Sequence, residues 1–158
     1  MINKPCVFSI FDVKSLSKLS NDASYEEIDT RLASGWYVDS VDNNKKKISF
    51  KSIKVEHGKV KSNCFIIDKK LAYISDVSKI YTKDFRYFKN LKFLVIDCLW
   101  YNYHPSHFNL ETSLSMIRKF KPKKAILTNL SPVLDYKVLK KILPKNTIPA
   151  FDGLTLNL

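Results

Sequence analysis

Apolar and polar residues alternate along the chain in short segments, and the period of the alternation predicts the secondary structure. In "KKISFKSIKVEHG", Ile48 and Phe50 are separated by one polar residue, which is the two-residue period of a strand with one buried face. "GWYVDSV" before this segment, and "SNCFIID" and "LAYISD" after it, predict further strands. A turn near Asp68 to Lys70 would join the last two into a hairpin. The middle of the chain therefore predicts an antiparallel meander.

The N-terminal segments predict one buried strand and two helices. "PCVFSIF" is a short apolar run typical of a buried strand. "DVKSLSKL" opens with an aspartate in the capping position of a short helix. "SYEEIDTRLA" has acidic residues in its first turn, and Gly35 lies just past its end, as expected for a second helix.

The second part of the chain alternates helices with strands. We expect a short helix around Lys83–Lys89, the strand "LKFLVIDC", a helix over 110–120, the strand "KAILTN" and a helix over 135–142. In the closing "IPAFDGLTLNL", Asp152-Gly153 indicates a tight hairpin turn. Strands separated by helices imply crossover connections, so the predicted fold class is α/β with a mixed sheet.

Length and composition fit one folded domain. A chain of 158 residues, of which 45% are hydrophobic and 13% aromatic, has room for a core that buries roughly 70% of the unfolded surface. No apolar run approaches the ~20 residues of a membrane span, and "CVFSIF" is too short for a signal-peptide core. We expect a cytoplasmic protein with no membrane partner. Cys6, Cys64 and Cys98 form no metal-binding pair and predict buried free thiols.

The net charge of +12 favours a polyanionic partner such as nucleic acid. The cations are 24 lysines and only 3 arginines, spread along the whole chain. Arginine is the better residue for bidentate contacts to phosphates and base edges. Charge alone therefore gives weak support for nucleic-acid binding.

Polar residues follow several predicted strands at the point where each strand ends. They are His57, Asp76, Asp97 and Asn129. Polar groups at strand ends of α/β proteins often converge in a crevice that binds ligands. A structural role is the alternative: His57 could be a solvated edge residue, and Asp76 could cap the turn that enters the next helix.

Two further histidines, His104 and His107, lie in the loop before the helix over 110–120. Pro105 biases His104 toward an extended conformation, and Asn109 is a good N-cap for that helix. A histidine in this loop could reach an anion in the crevice. The two could also bind zinc, but only if His57 converged with them, since catalytic zinc needs three protein ligands.

Five segments resemble, in order and spacing, the C-terminal half of a metallo-β-lactamase-fold hydrolase of the subgroup that contains the phosphoribosyl cyclic phosphodiesterase PhnP. They are "IKVEHG", "LAYISDVSKI", "LKFLVIDCLWYNYHPSHFNLETSL", "KKAILTNLSPVLDY" and "IPAFDGL". The resemblance is clear over 48–158 and weak over 1–47, where "INKPCVFSIFDVKSLSKL" is similar to the strand and helix after the family's first metal motif. It implies one partial domain over 1–158, the C-terminal half of an αββα sandwich.

The resemblance also implies roles for individual residues. His57 matches the family's third metal-binding histidine, Asp76 the carboxylate that bridges two metals, and His107 the histidine that contacts the substrate phosphate and protonates the leaving group. Asn129 stands where the family has its last metal-binding histidine, so that position is degenerate. The supporting candidates around these groups are Asp97, His104 and Asp152.

One departure from the family is large. The signature His-x-His-x-Asp-His is absent, because no two of the three histidines are two positions apart. Zinc or manganese of the family site is therefore expected to bind weakly or not at all to this chain alone. The sequence predicts a remnant or separately encoded half of a phosphodiesterase, inactive alone, that pairs with itself or with a separate N-terminal half. If active, it would take a small phosphodiester.

Two alternatives remain open from the sequence. One is a non-catalytic basic interaction module for an anionic partner such as nucleic acid. The other is an intact small metalloenzyme built on His57, Asp76 and the loop histidines.

Overall fold

The computed structural model describes residues 7–9, 36–40 and 47–158. The predicted helices "DVKSLSKL" and "SYEEIDTRLA", and Cys6, lie outside the described residues. In chain order, the described elements are β1 (Val7–Ser9), β2 (Trp36–Ser40), β3 (Lys47–His57), β4 (Val60–Ile67), β5 (Leu71–Ile74), a 3-10 helix (Thr82–Tyr87), β6 (Phe93–Asp97), α1 (Leu110–Phe120), β7 (Lys124–Thr128), α2 (Tyr136–Ile142), β8 (Thr147–Pro149) and β9 (Thr155–Asn157).

The larger sheet is mixed, as the sequence predicts. Its strand order is β2-β3-β4-β5-β6-β7-β8. The first four of these strands pair antiparallel, which confirms the meander, and β5 to β8 pair parallel. β1 and β9 form a separate two-stranded antiparallel sheet. The fold class is α/β with a mixed sheet.

The larger sheet buries apolar side chains on both faces. On β6, Leu94 and Ile96 pack in a cluster with Ile117 and Phe120 of α1. Val95, which alternates with them, belongs to a second cluster on the opposite face. Leu156 of β9 and Leu154, which immediately precedes that strand, also belong to this cluster. A strand that is buried on both faces has an almost continuous run of apolar residues, which explains the sequence "FLVI" in β6.

The helix ends are set by local capping. Asn109 accepts a hydrogen bond from the Thr112 backbone N–H at 2.9 Å, as predicted for the N-cap of α1. Asp135 caps α2 in the same way, accepting from the Val138 N–H at 2.9 Å.

Among the described residues, no helix combines the length and apolar character needed to cross a bilayer.

Two local predictions need correction. The segment predicted as a helix around Lys83–Lys89 is a short 3-10 helix over Thr82–Tyr87. Phe85 and Tyr87 pack against the core but are only partly buried, which gives little apolar burial to stabilise a longer α-helix. Asp152-Gly153 forms a turn, with Gly153 at φ +84°, but it is not a hairpin turn. The strands on either side pair with β7 and with β1, so the turn carries the chain from one sheet to the other.

The two described cysteines, Cys64 and Cys98, are buried free thiols, as predicted. Burial raises the pKa of Cys64 above its ordinary value and raises that of Cys98 to about 12. Neither thiol is therefore available as a thiolate ligand near neutral pH.

Candidate metal centre

The sheet topology brings four polar residues to one edge. β5, β6 and β7 are parallel, so Asp76, Asp97 and Asn129, at or just after their carboxyl ends, share an edge of the sheet. β3 is antiparallel to β4, which is antiparallel to β5, so β3 runs in the same direction as β5 and His57 ends at that edge too. The convergence expected for strand ends of α/β sheets therefore occurs here.

Asp76 and Asn129 leave their strands in the same unusual backbone conformation. Their φ angles are +52° and +58°, in the left-handed region that Asp and Asn tolerate better than most residues. The Asn129 side-chain amide donates a hydrogen bond to Asp76 Oδ1 at 3.1 Å. Asn129 thus holds the carboxylate in place through its Nδ2–H donor.

A backbone carbonyl fixes the protonation pattern of His57. Its Nδ1 lies 2.7 Å from the carbonyl oxygen of Ser106, which can only accept, so Nδ1 carries a hydrogen and Nε2 is the nitrogen that could bind a metal. The neighbouring Gly58 has a φ of +62°, and a Cβ there would lie 2.6 Å from Ser106 Oγ. Glycine therefore permits the close approach of the loop that orients His57.

His107 is oriented by a buried carboxylate. Asp97, fully buried, accepts three hydrogen bonds at Oδ2: from His107 Nδ1 at 2.9 Å, from the Phe108 N–H at 3.1 Å and from the Val77 N–H at 3.3 Å. Asp97 Oδ1 has no partner among the described residues. Burial raises the pKa of Asp97, against the opposing effects of His107 and the two N–H groups. His107 Nδ1 also lies 4.0 Å from Asp76 Oδ1, so the ring stands between the two carboxylates, and its Nε2 is not engaged by Asp97.

His57, Asp76 and His107 form one cluster. One potential ligand atom from each lies within 4.8 Å of the others, and the two imidazole centroids are 4.6 Å apart. Ligands at about 2.1 Å from one ion lie at most about 4.2 Å apart, so a small movement would bring all three to a shared metal. In both imidazoles Nδ1 is hydrogen-bonded to an oxygen, an arrangement common among metal-binding histidines, which leaves Nε2 as the nitrogen that could bind a metal. The donor set fits zinc or manganese.

The remaining predicted residues take different positions. The His104 ring lies 5.2 Å from that of His107, and His104 Nδ1 accepts from the Ser106 N–H at 3.3 Å. Asp152 is exposed in the turn between β8 and β9 and is not part of the three-residue cluster. Sequence reasoning missed the role of Ser106, because a backbone carbonyl leaves no signal in the residue type.

Several solved structures share the fold of this chain. No protein-family model and no curated protein matches the chain. Among solved structures, a new diphosphatase from the PhnP family is 29% identical, with a TM-score of 0.68, over 70% of this chain and 44% of that chain. The metallo-β-lactamase fold protein YhfI from Bacillus subtilis is 14% identical, with a TM-score of 0.62, over 94% and 62%. The short form of human tRNase Z is 10% identical, with a TM-score of 0.55, over 81% and 48%.

The chain thus shares the metallo-β-lactamase fold with these structures. Within that fold it is similar to the PhnP family, which confirms the resemblance found in the sequence. The chain spans between 44% and 62% of the length of these three structures.

Proposed function

We propose that this chain contributes the C-terminal part of the active site of a metal-dependent phosphodiesterase, and that the 158 residues alone are inactive. The convergence of His57, Asp76 and His107 at one sheet edge carries the proposal, because one possible donor atom from each lies within 4.8 Å of the others, as two metal ligands and a neighbouring acid would require. The missing His-x-His-x-Asp-His ligands would come from a separate N-terminal segment.

A metal bound here would supply a Lewis acid and a water of lowered pKa. The residues of this chain have separate tasks. His57 Nε2 and the Asp76 carboxylate would hold the ion, and Asn129 hydrogen-bonds the carboxylate. His107 contacts the substrate phosphate through Nε2 and protonates the leaving oxygen, while Asp97 holds the opposite side of its ring.

His107 decides between this proposal and an intact small metalloenzyme. Its Nε2 can give a proton to the leaving group or give its lone pair to a metal, but it cannot do both at once. As a ligand it would complete the three-donor set of a catalytic zinc site within this chain. As an acid it leaves two ligands, which are too few to retain zinc or manganese tightly.

Metal analysis of the purified chain tests the assignment. After dialysis against a chelator and then against zinc or manganese, we expect well under one equivalent of retained metal and no hydrolysis of bis(p-nitrophenyl) phosphate. Addition of a separate polypeptide carrying His-x-His-x-Asp-His from the same fold should restore both. His57→Ala should abolish the restored metal binding, while the loop variant His104→Ala should retain it.

Retention of metal by the chain alone would contradict the proposal. If the chain alone retains one equivalent of metal, and His107→Ala removes it, His107 is a ligand and the chain is a self-sufficient metal site.

A further inference from the structure

A cleft of about 260 Å³ opens beside the metal-ligand cluster and shares His107 with it. Among the residues on its walls are Glu56, Lys79, Tyr103 and His104. A phosphate held at His107 would therefore continue into a space with a cationic side and an aromatic side. The groups along these walls indicate what the rest of the ligand should be.

The cationic side continues outward as a cluster of three lysines around one tyrosine. The ammonium groups of Lys61, Lys79 and Lys83 lie 4.9, 5.8 and 5.8 Å from the centre of the Tyr81 ring. Lys61 also donates to the Tyr81 hydroxyl. Glu56, which forms ion pairs with Lys61 at 3.4 Å and with Lys79 at 3.6 Å, joins this lysine cluster to the cleft. The lysines outnumber the carboxylate that pairs with them, so the surface favours an anion.

On the aromatic side, Tyr103 and its neighbours in the loop have side chains that are exposed to solvent. Tyr103 is 82% exposed, and Trp100 and Tyr101 in the same loop are 39% and 37% exposed. A tyrosine ring held out of the core beside a cationic groove is the kind of platform on which an unpaired base stacks.

We propose that the cleft and the lysine cluster bind single-stranded nucleic acid, with phosphates at Lys61, Lys79 and Lys83 and a base stacked on Tyr103. A single strand fits better than a duplex, because stacking on a side chain requires an unpaired base. Binding should tolerate many sequences, because lysines contact phosphate without distinguishing the bases. Arginine is the residue better suited to contacting base edges, but Arg86 is bonded to Tyr87 and Arg118 to Glu111. The inference rests on the proposed function only for the position of a phosphodiester at His107.

Fluorescence anisotropy with a labelled ten-nucleotide oligouridine tests the lysine cluster. The buffer contains a chelator, so the outcome does not depend on metal or hydrolysis, and failure of the proposed function would not affect it. The triple variant Lys61→Gln/Lys79→Gln/Lys83→Gln should reduce the slope of log K against log [salt] by about 2, at roughly 0.7 per phosphate contact. Lys137→Gln/Lys140→Gln/Lys141→Gln removes the same charge from α2 and should leave the slope nearly unchanged. Equal losses in both variants would overturn the proposal, since net charge alone would then explain binding.

Substitutions at Tyr103 test the stacking. Tyr103→Ala should weaken oligouridine binding by about 5- to 150-fold, whereas Tyr103→Phe, which keeps the ring, should bind nearly as the unaltered chain does. Tyr136→Ala is the matched control at another exposed tyrosine and should have little effect. Heparin, a polyanion without bases, should bind the Tyr103→Ala variant as well as the unaltered chain. If Tyr103→Ala binds oligouridine normally, or loses heparin equally, the surface is a general polyanion site and the assignment is wrong.

Discussion

Replacing Asp97 tests whether one buried carboxylate holds the loop that carries His107. In the structure, a single oxygen of Asp97 accepts from the His107 ring and from two buried backbone N–H groups, those of Val77 and Phe108. Alanine would remove all three hydrogen bonds. Asparagine has the same shape, and its carbonyl oxygen could still accept all three.

The expected losses follow from the groups left unpaired. Each buried N–H without an acceptor costs about 1–3 kcal/mol, so Asp97→Ala should lower the free energy of unfolding by about 2–6 kcal/mol. That is a large share of the total of roughly 5–15 kcal/mol that domains have. Asp97→Asn places an NH2 group where Oδ1 has no partner, which costs about 1–3 kcal/mol, and the removal of a buried charge offsets part of this.

Urea denaturation at pH 7, followed by tryptophan fluorescence, measures these differences. Asp135→Ala is the control, because it removes one exposed N-cap bond and should cost about 1 kcal/mol. A loss for Asp97→Ala no larger than for this control, or losses equal for Asp97→Ala and Asp97→Asn, would refute the role of Asp97 as the shared acceptor.

The pH dependence gives an independent check. Burial raises the pKa of Asp97, so its contribution to stability is complete below the unfolded-state value near 3.8 and is lost as pH rises through the higher folded-state pKa. Asp97→Asn has no titrating group at this position. Relative to the unaltered chain, the variant should therefore gain stability as pH rises through this window, and a flat difference between the two would contradict the direction of the shift.

Three further predictions concern metal binding, loop geometry and association. Asn129→His should raise zinc affinity in isothermal titration, whereas Asn129→Ala, which removes only the hydrogen bond to Asp76, should change it much less than His57→Ala does; equal losses in the two alanine variants would mean that Asn129 is itself a ligand. Gly58→Ala should destabilise the chain more than Gly153→Ala in urea denaturation, because both have positive φ but only Gly58 would place a Cβ 2.6 Å from a serine hydroxyl. We also propose that the meander strands, with the half-buried Phe65 and Tyr73, contact a second copy or an N-terminal half. Light scattering at micromolar concentration should then show a dimer, and a monomer with low binding of hydrophobic dye would contradict this.

The sequence alone determined most of the described secondary structure. The limits of α1, its Asn109 cap and the two-residue period of β3 depend on interactions within a few residues, so they are visible in the order of residue types. The prediction failed where local signals were ambiguous. An Asp-Gly pair favours a turn, but the pair does not specify whether the strands on either side join each other or join different sheets.

The sequence predicted only part of the candidate site, because the contacts that orient its residues join positions that are distant in the chain. Resemblance to a family pointed to His57, Asp76 and His107, but it could not show which nitrogen of each ring faces the site. For His57 this depends on Ser106, 49 positions away, and the contact between Asn129 and Asp76 joins residues 53 positions apart. Such contacts, like the lysines gathered around Tyr81, are set by the packing of strands and loops that are distant in the chain, and so only the tertiary structure decides them.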